Sequence, residues 1–311
     1  MNYLSRSLGI GTSVLAFVSL ASAGSIAQST DLFFSLGSAY PGYVQQFTKD
    51  GAFVKNFVVG PAGQLDDALG LRFGPDGNLY VTSYNDGTVN KYNGATGAYI
   101  GTAASGLTYP SDVAFDAHGY MYVSEVVANS VVKVSLASQA VVQTYTGFTT
   151  PYGILERPNG DLLVSAYNTG EVYDVNTTTG LTTVFASGLT TPEGLALGPD
   201  GRYYVCGTDN GTTVDVIPAN GGSFSLWASS IPFGTSWGVF SAGNLYTTGS
   251  GGATELDGTT GAVLGTLYNG YRTNAGIDVR GAIATPEPGS YALLVGLGLA
   301  GMTARRKRVK I

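Results

Sequence analysis

The glycines at 77, 119, 160, 201 and 243 each close a short phrase of one design, so the chain repeats itself every 41 or 42 residues. The phrases open at Gly70, Asp112, Gly153, Gly194 and Gly238; the first reads Gly70-Leu71-Arg72-Phe73-Gly74-Pro75-Asp76-Gly77 and the fourth Gly194-Leu195-Ala196-Leu197-Gly198-Pro199-Asp200-Gly201. A period of this length discards most folds at once. Each repeat has to form the same supersecondary unit and bury its faces against its neighbours.

Each closing glycine is followed by an apolar run, such as Leu79-Tyr80-Val81, Met121-Tyr122-Val123 or Tyr203-Tyr204-Val205. A second turn comes next, for example Asn85-Asp86-Gly87, Asp209-Asn210-Gly211 or Ser250-Gly251-Gly252. A third run follows, and in four of the five repeats a Gly-rich turn such as Asn93-Gly94-Ala95-Thr96-Gly97 leads into a fourth. Asn-Gly and Asp-Gly provide the positive φ angles of tight hairpins. Runs that are apolar on both faces suit sheets covered on both sides. Four antiparallel strands in about 41 residues make one blade of a β-propeller.

Five units leave a remnant at each end. Asp31-Leu32-Phe33-Phe34-Ser35 matches a second strand and continues through Tyr43 to Phe47 and Phe53 to Val59, but it lacks a first strand. Gly276-Ile277-Asp278-Val279 is a first strand with nothing after it. The expected fold is therefore all-β, a six-bladed β-propeller over residues 30–281, with one blade completed by both termini and no open edge. The 46 glycines then read as turn punctuation and close approach at the axis, and the 20 tyrosines as packing between sheets.

One His and one Cys exclude a disulfide framework, a Cys/His zinc site and a multi-histidine centre. The net charge of −6 is unevenly spread. Six of the fifteen basic residues lie within 1–23 and 305–310, which leaves nine against 21 acidic residues and a body near −12. Such a body repels phosphate backbones, so nucleic acid is not an expected partner.

Both ends carry targeting patterns. Residues 1–23 place Arg6 before an apolar run from Leu8 to Leu20 and end on Ala21-Ser22-Ala23, the pattern of a secretory signal peptide. A first core element is the competing reading. Near the other end Pro286-Glu287-Pro288 leads into an apolar run from Tyr291 to Met302, then Arg305-Arg306-Lys307-Arg308. The run is shorter than the roughly 20 residues of a comfortable span, and its basic end would stay cytoplasmic. The three parts in this order resemble the PEP-CTERM sorting signal of Gram-negative bacteria, which marks 282–311 as a sorting and transmembrane tail. The resemblance implies an exosortase-type processing enzyme as partner and transient anchorage in the inner membrane. It also implies cleavage near Pro286–Pro288 and release to the cell surface or the extracellular polysaccharide matrix. A plain membrane anchor is the alternative.

In a propeller the first strands line the central channel. Their openers are Gly70, Asp112, Gly153, Gly194, Gly238 and Gly276, of which Asp112 alone is a carboxylate; the residues just before them include Tyr152, Glu193, Trp237 and Ala275. Asp112, Tyr152, Glu193 and Trp237 are candidate ligand-binding residues at one mouth, with the aromatics offering stacking faces for a sugar. The competing reading has the rings filling core and the carboxylates accepting backbone N–H groups.

The Gly-Pro-Asp-Gly phrases resemble NHL and lactonase-type six-bladed propellers, and Pro192-Glu193-Gly194 resembles virginiamycin-lyase-like ones. Lactonase chemistry would need several oxygen ligands on a divalent ion, for which only Glu193 and Asp112, with Asn274 more distant, present themselves. Lyase chemistry would need a catalytic His beside a carboxylate, whereas His118 falls in a turn. No catalytic residue and no metal ligand is assigned, and no cofactor is expected, Ca²⁺ or another divalent ion at Asp66-Asp67 being the alternative. The expectation is an exported, non-enzymatic binding or scaffold protein with a polysaccharide or protein ligand. Its alternative is a periplasmic metal-dependent lactonase- or lyase-like enzyme.

Overall fold

The structure, a computed structural model, describes residues 31–37, 42–60, 65–272 and 276–280. Residues 1–23, where a signal peptide is expected, Asn274, Ala275 and the tail with Pro286 to Pro288 and Arg305 to Arg308 lie outside the described residues.

Six antiparallel sheets form the blades of a propeller. From the inner strand outward, blade 2 is Ala68–Phe73, Leu79–Ser83, Thr88–Tyr92 and Tyr99–Ser105; blade 3 is Pro110–Phe115, Tyr120–Glu125, Ser130–Ser135 and Val141–Thr146. Blade 4 is Pro151–Glu156, Leu162–Ala166, Glu171–Val175 and Thr182–Ser187; blade 5 is Leu195–Leu197, Tyr203–Gly207, Thr213–Ile217 and Ser225–Ala228. Blade 1 is the composite one, with Ile277–Val279 as its inner strand against Leu32–Leu36, Tyr43–Phe47 and Phe53–Val59. Its closing register pairs Leu32 with Val279, Phe33 with Asp278 and Phe34 with Ile277.

Blade 6 departs from the repeat. It consists of Trp237–Ser241, Asn244–Leu256 and Val263–Arg272. The long middle run pairs with the inner strand through Asn244–Thr248 and with the outer strand through Ser250–Leu256. Gly249 separates the two stretches, and Gly251, at φ 108°, sits at a register shift just inside the second. The turn expected at Ser250-Gly251-Gly252 is thus contained within continuous strand, because two residues without side chains let backbone pairing run through the bend.

The closing glycines 77, 119, 160, 201 and 243 all take positive φ, from 74° to 90°. A Cβ at any of them would meet nothing within 4 Å, so backbone conformation alone demands glycine there. Between the blades, a cluster of buried apolar side chains fills every seam. In the seam of blades 1 and 2, Phe33 meets Phe57 and Phe73 edge-on, each at 4.9 Å between centroids. Such pairs add about 0.5–1.5 kcal/mol beyond the area they bury.

Buried tyrosines anchor their hydroxyls in the turns: Tyr80 on Asp76, Tyr122 on Asp116 and Tyr204 on Asp200, at 3.1, 2.8 and 3.0 Å. In blade 3 the turn carboxylate lies two residues earlier in the chain relative to its closing glycine, at Asp116. His118, left in the vacated turn position, is exposed.

Candidate functional site

The inner strands converge at their leading ends until backbones of neighbouring blades touch. A Cβ on Gly153 would lie 2.3 Å from the Glu193 carbonyl oxygen, on Gly70 2.4 Å from that of Ser111, and on Gly276 2.4 Å from that of Leu69. These glycines are required by space, not by φ. A girdle of hydroxyls from the second strands joins the blades at the same level. Thr82 donates to Ser111 O at 3.1 Å and Ser124 to Tyr152 O at 2.7 Å; Ser35 and Ser165 donate likewise to Leu69 O and Glu193 O. In blade 5 the position belongs to Cys206, which is fully buried and whose thiol is pushed up to about 12 by burial.

Asp112 is the one opener with a side chain in this ring, and it is completely enclosed. Its Oδ1 accepts from the backbone N–H of Val113 at 2.8 Å and its Oδ2 from that of Ile154 at 3.2 Å. The guanidinium of Arg72 stands 3.7 Å away and donates to Val113 O at 2.7 Å. A second axial carboxylate, Asp278, accepts from Phe73 N–H at 2.8 Å. Burial raises the pKa of both acids, that of Asp278 to about 6, although Arg72 opposes the rise. One cation thus serves two buried carboxylates in mid-channel. Asp278 and Arg72 both stand at the second position after an opener, where the other four blades carry Ala114, Leu155, Ala196 and Phe240, a paired departure from the repeat that could have revealed them.

At the strand-start mouth Tyr152 packs against Trp237 at 5.6 Å and against Tyr167 at 5.7 Å. Tyr84 packs against the same apolar cluster and meets the exposed Tyr109 at 4.9 Å. Trp237 is 3% exposed and belongs to the core. Its indole N–H has no well-formed hydrogen bond and helps stabilise the Asp112 charge. Glu193 lies over Gly207, with Oε2 buried and without a hydrogen bond. Burial pushes its carboxyl up to about 7. The structure therefore gathers Tyr152, Trp237 and Glu193 at one mouth and adds Tyr84, Tyr109 and Tyr167. Asp112 sits deeper, committed to backbone.

At the opposite, strand-end mouth the inner strands diverge around a cavity of about 580 Å³. Five blades line it, through residues that include Arg72, Phe115, His118, Glu156, Leu197 and Asp278. Among the described residues, no three His, Cys, Asp or Glu side chains are gathered as a metal ion would require.

Residues 284–308 match the PEP-CTERM protein-sorting motif. The chain is thus an exported protein sorted through the membrane, with a propeller body. No curated protein matches its sequence. Among solved structures it is similar to a chain of a nidogen/laminin complex, with TM-score 0.67 and 16% identity over 80% of this chain and 98% of that one. It is also similar to a gluconolactonase of Xanthomonas campestris (0.58; 15% identity; 66% and 77% covered). Virginiamycin B lyase of Staphylococcus aureus is a third such structure (0.52; 18% identity; 63% and 68% covered). At these identities the likeness is one of fold.

Proposed function

We propose that this protein is a non-enzymatic binding module of the cell surface or the extracellular polysaccharide matrix, and that it holds polysaccharide at its strand-start mouth. The observation that carries the reading is the aromatic rim, where Tyr152 stands beside the carboxyl of Glu193 and continues through Tyr167 on one side and Tyr84 with Tyr109 on the other. Flat apolar faces beside hydroxyl-accepting oxygens suit the alternating C–H and O–H surfaces of a sugar. Asp112, the other carboxylate considered for chemistry, spends both oxygens on backbone N–H groups. The nidogen/laminin chain, a propeller of similar extent, comes from a protein–protein complex and lends support to a binding role for such a body.

Affinity electrophoresis of the full chain through gels containing bacterial exopolysaccharide tests the reading. Retardation is expected, and it should be lost in Tyr109→Ala and Tyr167→Ala with thermal unfolding unchanged. Glu193, held near 7 by burial, keeps an enzymatic alternative open to the same material. Stoichiometric divalent metal, with lactone hydrolysis lost in Glu193→Gln, would overturn the binding reading in favour of a lactonase- or lyase-like enzyme.

A further inference from the structure

The cavity at the strand-end mouth lies on the ring axis, away from the aromatic rim, and most of the charged groups around it are committed to partners. Arg157 is held by Asp174, donates to Tyr203 Oη and Ala219 O at 3.3 Å each, and stacks over Phe185 at 4.8 Å. Asp116 accepts from the N–H groups of His118 and Tyr120 and from Tyr122 Oη at 2.8 to 3.0 Å, with Lys133 3.8 Å away. Arg72 is shared between Asp112 and Asp278 on the floor. His118 is exposed at the rim. Glu156 is different. It lines the cavity from the end of the inner strand of blade 4, it is half-buried, and among the described residues its carboxylate has neither hydrogen bond nor ion pair.

The cations Arg72, Arg157 and Lys133 are each matched by a carboxylate, which leaves Glu156 and one of the two floor acids as the surplus. Elsewhere the walls are mostly apolar, formed by Phe73, Phe115, Ala114, Leu155 and Leu197. A cavity of this volume is within the range that encloses a small organic molecule. Partial burial without a partner disfavours the charged carboxylate, and an arriving cation offsets that cost.

We propose that this strand-end cavity binds an organic ammonium ion carried on an apolar body, with the Glu156 carboxylate as its counter-charge. An anion would meet the surplus negative charge. A neutral apolar molecule would fill the volume and leave Glu156 as it was. Burial, followed by the nearby Asp116, pushes the Glu156 carboxyl up to about 7. The ammonium ion selects the ionised form, so its affinity rises as pH increases through 7.

The full chain in non-ionic detergent would be titrated calorimetrically with phenethylamine, with its neutral counterpart 2-phenylethanol and with the anion hydrocinnamate. The expected result is binding of the amine alone, about ten-fold tighter at pH 8 than at pH 6, and weakened at least ten-fold in Glu156→Gln. Carbon-13 carboxyl spectra should show the Glu156 titration shifting to lower pH when the amine is present, a readout that does not depend on any variant folding. Absence of amine binding, equal binding of the alcohol, full affinity in Glu156→Gln or an unmoved Glu156 titration would each overturn the proposal. None of these results bears on the polysaccharide reading, which uses the other mouth.

Discussion

The two ends of the same axial channel are built by opposite means. At the strand-start end, glycine openers bring each inner strand against the carbonyls of the next blade, and second-strand hydroxyls tie the contact. At the strand-end mouth the same strands have splayed apart around a 580 Å³ cavity with a charged floor. Close backbone contact fixes the ring at one end, and the twist of each blade opens it at the other. Residues of the narrow end should therefore govern stability, whereas those of the wide end are free to serve a ligand.

The closing strand joins both ends, since Gly276 belongs to the narrow one and Asp278 to the wide one. Deleting residues 276–280 removes the ladder to Leu32–Phe34 together with the burial of Ile277 and Val279, each worth about 1.5–3 kcal/mol. This is the largest expected effect: loss of cooperative unfolding and aggregation through the bared edge of Leu32–Leu36, read by calorimetry and size-exclusion chromatography. Unchanged thermal unfolding would break the picture of a ring closed by this strand.

Gly153→Ala tests the narrow end directly. Its new methyl group would be driven into the Glu193 carbonyl, which no side-chain rotation can relieve. The expected cost is about 3 kcal/mol, or roughly 6–12 °C in Tm. Gly160→Ala, at φ 83° in open space, should cost only about 1–2 kcal/mol. Equal losses at the two glycines would mean that the axis is looser than its backbone contacts imply.

The 41-residue spacing of glycines made the blades, the turns and the composite closure legible in advance, because turn chemistry is local and repeats. The hydroxyl girdle was equally periodic, at Ser35, Thr82, Ser124, Ser165 and then Cys206. Its role is not legible in sequence, because Ser and Thr are ordinary strand residues and their partners lie in the next blade. Tyr152, Glu193 and Trp237 could be placed together because they share one repeat position. Tyr84 and Tyr167 share a second repeat position, directly after the second strands of blades 2 and 4, while Tyr109 stands in the loop before an inner strand. The rim thus draws on separate positions that only the folded ring brings together. Which mouth holds a cavity depends on how far the strands splay, and no spacing in the sequence encodes that.

The wide end has its own signature in pH. The folded pKa of Asp278, about 6, lies above the usual carboxylate value of 3.8, so the folded state holds this proton more tightly than the unfolded chain does. The stability it contributes is complete below pH 4 and is lost as pH rises towards 6, a change of about 3 kcal/mol. Glu156 and Glu193, both near 7, extend the decline to neutrality. Asp278→Asn should flatten the fall in Tm between pH 4 and 6, and an unaltered slope would remove Asp278 as its source.

The smallest effects separate the girdle from its one exception. Ser124→Ala leaves Tyr152 O and the N–H of Asp112 without the hydroxyl that serves both, at an expected cost of about 1–2 kcal/mol. Cys206→Ser should change Tm far less, although the site is fully buried, because a hydroxyl there stands where four other blades already hold one against a neighbouring carbonyl. If Cys206→Ser proved as damaging as Ser124→Ala, blade 5 would join its neighbour by thiol packing against Gly238 and not by the hydrogen-bond geometry used elsewhere in the ring. The narrow end would then be two kinds of seam, and its tightness would owe more to close glycine contact than to the hydroxyls.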